Sequence, residues 1–196
     1  ATEDFLQMAG AGKDREILMK SSWDNARSRL PWLFASWVGG VCAAAIIGIF
    51  DNTLQSTLAL AAFIPVVIGM GGNIGTQTST LVVRGLATGR VNVGNNINII
   101  FKEIRVGLIL GILYGLLLGL FAIMSFVDIS PYLGLVVGLG IACSMLIATA
   151  FGSLVPLLLH RMDIDPAIAT GPFVTTSIDI LGVTLYFVIA KIFLPV

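Results

Sequence analysis

An all-α membrane protein with five transmembrane helices is the fold this sequence predicts, and three observations predict it. The 196-residue chain is 57% hydrophobic and only 11% charged, with a mean hydropathy of +0.98. That leaves too few polar residues to cover a soluble domain of this size. Its apolar runs are long enough to cross the roughly 30 Å of hydrocarbon that about 20 helical residues span. Those runs are apolar on every side and joined by brief loops, whereas a β-barrel needs short strands of alternating polarity. Eleven basic and eleven acidic residues balance to zero, which removes the basic footprint that nucleic-acid binding requires.

The first 31 residues are polar and amphipathic, with Ile17, Leu18 and Trp23 as their apolar aspect and five basic residues suited to an anionic membrane surface. They contain no basic-then-apolar leader, and the chain opens on Ala1 rather than Met, so a fragment or processed chain is expected. The spans follow at residues 32–50, 57–83, 104–126, 133–158 and 167–194, with brief loops such as 51–56 and 128–132. Cys42 and Cys143 fall inside these runs and are read as small buried packing residues rather than a disulfide. In the third span Gly107, Gly111, Gly115 and Gly119 recur every fourth residue, and Gly134 and Gly138 do so in the fourth. Such ladders let helix backbones approach closely; a surface that slides during gating is the alternative. Lys13, Arg15, Lys20, Arg27, Arg29, Arg84, Arg90, Lys102, Arg105 and Arg161 all fall on one side of the membrane, and Lys191 alone on the other. The positive-inside rule then puts the N-terminus in the cytoplasm and the C-terminus outside.

Polar residues that cannot reach an interface carry the functional information. Asp179 lies thirteen residues beyond Pro166, about 20 Å along a helix. A carboxylate at such depth disfavours insertion by about 2.5–3.5 kcal/mol, so it needs a cation, a partner or a water-filled cavity. No basic residue sits at a similar depth; a protonated or hydrogen-bonded Asp179 is the structural alternative. In the second span, residues 65–80 bring together Pro65, four glycines, Asn73, Gln77 and a run of hydroxyls. Irregular or polar backbone is tolerated at membrane depth where it is buried in protein or lines an aqueous path. Pro166, Gly171 and Pro172 are expected to loosen the fifth helix, and Thr175 and Asp179 share one of its faces. Counted from opposite sides, Gly69 to Gly72 and Gly171 to Thr175 agree in depth within about one turn, so the two segments can line one cavity.

The candidate ligands are all oxygens, which selects hard cations; His160, the one histidine, sits at a span end beside Arg161. Magnesium sheds its water shell reluctantly, so few acids among many hydrogen-bonding oxygens suit a largely hydrated magnesium ion. One Asp179 per chain half-compensates a divalent ion, and a two-fold homodimer would bring two such carboxylates around one axis.

At these residues the sequence resembles a known family. Pro65 to Arg84, with its Gly-Gly-Asn-x-Gly-x-Gln-Thr core, and Asp165-Pro-Ala followed by Gly-Pro-x-x-Thr-Thr-x-x-Asp-x-x-Gly resemble the transmembrane domain of the MgtE family of magnesium channels. The resemblance covers essentially all five spans. It implies a homodimeric, magnesium-selective channel of a bacterial-type plasma (inner) membrane, with a pore lined by the second and fifth helices and its acid at Asp179. Contacts to the hydrated ion are then expected at Gly69, Gly72, Asn73 and Thr175, with Thr76, Gln77, Gly171, Pro172 and Thr176 lining the pore and Asp163 and Asp165 as gating candidates. Family members also carry an N-terminal helical domain and paired CBS domains that sense cytosolic magnesium and act through a connecting plug helix. Residues 1–31 are similar to part of that helix and residues 32–196 to the pore domain, so permeation without the sensors is expected to be constitutive or poorly gated.

Passive flux of magnesium down its electrochemical gradient is the leading reading, with magnesium as transported ion. A cation-coupled secondary transporter of divalent metals is the alternative, since membrane carboxylates and broken helices also describe carriers. A non-transporting membrane assembly module is the third. No nucleophile and base pair, metal triad or cofactor motif appears at plausible spacing, so an enzyme is not expected.

Overall fold

The structure, a computed structural model, describes residues 21–91, 96–126, 130–167 and 171–194. Ile17, Leu18 and the basic residues Lys13, Arg15 and Lys20 of the expected connecting helix lie outside the described residues. Among the described residues six helices follow one another: α1 (Ser22–Ile49), α2 (Asp51–Ser56), α3 (Ala59–Ala87), α4 (Asn96–Ser125), α5 (Leu133–Arg161) and α6 (Pro172–Phe193). All but the short α2 are long and apolar enough to cross a membrane, which gives the five expected spans.

Ser21 starts α1 by accepting the Asp24 N–H at 3.3 Å and donating its own hydroxyl to the Asp24 carboxylate at 2.7 Å, so the first turn's free donors are partly satisfied. The helix then runs through Pro31 without a break to Ile49. At the far end α2 turns the chain, steadied by a hydrogen bond from Gln55 Nε2 to Asp51 Oδ2 at 2.6 Å and by Phe50 stacking on Phe187 with ring centroids 5.4 Å apart.

The central helix is α5, which packs against α4, α3 and α6, while α1 leans chiefly on α6. The glycine ladder explains the tightest of these contacts. A β-carbon at Gly119 would lie 2.7 Å from the Gly134 carbonyl oxygen, and one at Gly138 would lie 2.8 Å from that of Gly115. Backbone therefore meets backbone, as the spacing predicts. Two buried clusters fill the bundle, one around Phe63, Val137, Tyr186 and Phe187, the other around Ile74, Ile141, Met145 and Ile178. Both cysteines are free; Cys143 is half-buried, but Cys42 is exposed rather than buried, because α1 touches its neighbours along one stripe only.

Candidate functional site

The polar segment of α3 remains helical throughout. One 29-residue helix carries Pro65 and all four glycines, so the interruption expected there does not occur. Pro65 withdraws one N–H, and cross-helix bonds brace the turns around it. The buried Tyr186 hydroxyl donates to the Leu60 carbonyl at 3.2 Å, and the Ser144 hydroxyl to that of Val67 at 3.2 Å.

The glycines divide by face. Gly71 and Gly75 are inward: a β-carbon at Gly71 would come 2.5 Å from Ser144 Oγ, and one at Gly75 would overlap Ile178. Gly69 and Gly72 look to open space, with nothing within 4 Å of a β-carbon at Gly69 and only Asp179 Oδ1, at 3.6 Å, beside one at Gly72. Gly69, Asn73 and Gln77 are all exposed, and their four-residue spacing puts them in one row on α3. Ile74 and Thr78 are buried on the opposite side.

On α6 the expected loosening is also absent. Pro172 is the first helical residue and Gly171 its N-cap, a position where proline's missing N–H costs nothing. Asp179 stands seven residues on, about 10 Å along the helix. Its level partner on α3 is Gly72, one turn from the depth match read in the sequence. Thr175 donates its hydroxyl to the Pro172 carbonyl at 3.2 Å, and Thr76 to that of Gly72 at 2.9 Å. Both hydroxyl protons are thus committed within their own helices, which leaves these oxygens as acceptors, the role a cation or its water shell needs.

Asp179, Thr175 and Thr176 of α6, Ile68 of α3 and the Ser36, Gly39, Gly40 and Ala43 stretch of α1 enclose a cleft of about 350 Å³. Asp179 has no hydrogen-bond or ion-pair partner among the described residues. Nor do those residues contain a group of three or more histidine, cysteine or acidic side chains able to hold a bare metal ion. Six waters at about 30 Å³ each need about 180 Å³, so the cleft has room for an octahedral hydrated ion, whereas its ligand set does not suit a dehydrated one.

Other expected residues stand apart: of α3 only Ile68 is in the cleft wall, so Gly69, Asn73, Thr76 and Gln77 do not line it, and Gly72 is related to it through its approach to Asp179 Oδ1. Gly171 and Pro172 mark the start of α6, below the acid. Asp163, with a φ of 56°, and Asp165, whose carboxylate accepts the Ala167 N–H at 3.0 Å, shape the loop after α5 and do not line the cleft. Two features escaped the sequence reading. Glu103 of α4 accepts a hydrogen bond from buried Thr78 at 3.2 Å, behind the exposed row of α3. The α1 contribution escaped as well, although its small residues at 36, 39, 40, 43 and 44 fall on one helical face and carried the signal.

A family model described as "MgtE: Divalent cation transporter" matches residues 64–189. Three proteins named "Magnesium transporter MgtE" are similar. That of Bacillus subtilis is 37% identical over 194 residues, 99% of this chain and 42% of that protein. That of Enterococcus faecalis is 34% identical over 197 residues, 99% and 42% of the two chains. That of Thermus thermophilus is 34% identical over 168 residues, 85% and 36%. The chain thus spans about two fifths of the length of the curated relatives it matches.

Proposed function

The chain is a multi-pass membrane protein of the MgtE family of divalent cation transporters, and we propose on that premise that it is the pore domain of a magnesium channel. The observation that carries this reading is Asp179, a carboxylate without a partner among the described residues, beside Gly72 in a cleft roomy enough for a hydrated divalent ion. In this reading Asp179 supplies charge, while Thr175, Asn73 and the backbone around Gly69 and Gly72 accept hydrogen bonds from the ion's waters. Thr76, Gln77 and Thr176 line the path. Magnesium enters as the transported ion.

The exposed row of Gly69, Asn73 and Gln77 supports a homodimer. Amides on a membrane helix that face lipid go unsatisfied, whereas a two-fold axis along this face turns them into the wall of a shared aqueous path. It also brings two carboxylates to one divalent charge. Arg84, Arg90, Lys102, Arg105 and Arg161 gather where α3, α4 and α5 meet their inner loops; this is the cytoplasmic end in our reading, which puts the N-terminus inside. The cytosolic sensor domains that the family resemblance implies would couple to the pore through the segment preceding α1.

Dye-reported magnesium entry into proteoliposomes tests the proposal. A channel gives uptake that follows the magnesium gradient and membrane potential and is unchanged by imposed proton or sodium gradients. Uptake that tracks either gradient assigns the chain to coupled carriers instead, and a purified, correctly folded dimer that moves no ion points to an assembly module.

A further inference from the structure

We propose that α1 forms a third wall of the ion path, and that the small side chains on its cleft face set the width available to the hydrated ion beside Asp179. This rests on the reading of Asp179 as the ion-binding acid, and adds to the path a helix that lies outside the expected pore lining.

Two neighbouring glycines of α1 separate this from ordinary helix packing by their difference. The contact between α1 and α6 is made at Gly39, where a β-carbon would overlap the Thr176 side chain; packing accounts for that glycine. Packing does not account for Gly40. It is exposed, lines the same cleft as Thr175, Thr176 and Asp179, and has nothing within 4 Å of an added β-carbon. The space in front of Gly40 is therefore unfilled by any described helix of this chain and continuous with the space in front of the carboxylate. Ser36 and Ala43, one turn to either side, keep the same face short. In addition, α1 holds Thr176 against α6 through the Gly39 notch, so the position of α1 fixes both the width of the cleft and the side chain next to Asp179. A bulky residue at Gly40 narrows the path without touching any proposed ligand.

The test compares Gly40→Leu with Gly48→Leu, which adds the same bulk on the same helix where the β-carbon also meets nothing within 4 Å but no cleft is lined. Gly40→Leu is expected to lower magnesium uptake about tenfold or more, while Gly48→Leu stays within about twofold of the parent. Because Gly40→Leu can act by disturbing assembly, a second measurement places Gly40→Cys in a background carrying Cys42→Ala and Cys143→Ala. A small cationic thiol reagent applied from water is expected to modify it and block uptake, and magnesium is expected to slow the modification. A cysteine there that the reagent never reaches, or whose modification leaves uptake intact, overturns the proposal and assigns the face to packing. Asp179→Ala is measured alongside. If it abolishes uptake while Gly40→Leu matches Gly48→Leu, the α1 wall alone fails; if it leaves uptake intact, the ion-site reading fails and the α1 wall with it.

Discussion

The hydroxyls of Thr175 and Thr76 are held by their own helices, by the Pro172 and Gly72 carbonyls. With its proton committed, what Thr175 offers the cleft is an acceptor oxygen. Thr175→Val keeps the branched shape and removes that oxygen. It is expected to reduce magnesium uptake several-fold and leave the melting temperature in detergent within about 2 °C; unchanged uptake would remove Thr175 from the ion's surroundings. Asp179 was legible in the sequence because depth alone makes a membrane carboxylate anomalous, whatever it faces. The bonds from Tyr186 to Leu60 and from Ser144 to Val67 were not, since they join residues 126 and 77 positions apart, and only the packed bundle decides which carbonyl a hydroxyl meets.

Helices differ in how fully their sequence announces their contacts. The ladder of α4 was legible because a four-residue glycine period clears one stripe of the helix for close backbone approach, and its partners on α5 carry the same period. Gly119→Leu sets bulk against the Gly134 carbonyl, where even a β-carbon would lie 2.7 Å away. We expect a loss of about 1–3 kcal/mol for such overpacking, read as a lower thermal midpoint of the purified protein; an unchanged midpoint would mean that α4 and α5 are not held at backbone distance. The glycines of α3 were less legible. Type and spacing are the same for Gly71 and Gly72, yet Gly71 fits Ser144 and Gly72 opens on Asp179. The prolines misled for a related reason: Pro172 was expected to loosen the last helix and instead begins it, while Pro65 sits inside an unbroken helix whose neighbouring turns hydroxyls brace.

Across the bundle, five spans follow from hydrophobic length alone, and they were legible to within a few residues at most ends. How the spans surround a path was not, because α1 carries no polar signature and joins the cleft mainly through small residues, with Ile47 the one large side chain among them. In the proposed path a single chain supplies one acid, and its amide row is exposed among the described residues. If two chains share the path, co-expressing equal amounts of parent and Asp179→Ala chains, so that dimers assemble at random, leaves about a quarter of dimers with both acids. Uptake is then expected near a quarter of the parental rate; a value near one half would show that each chain conducts by itself.

Whether Asp179 is the acid on the ion's route is decided by magnesium uptake into proteoliposomes containing the parent, Asp179→Ala or Asp179→Asn at equal reconstituted protein. Loss of uptake in both variants, with the helical content and oligomeric state of the parent retained, is the expected result. Parental uptake in both would place the ion's route elsewhere in the bundle and remove Asp179 from it.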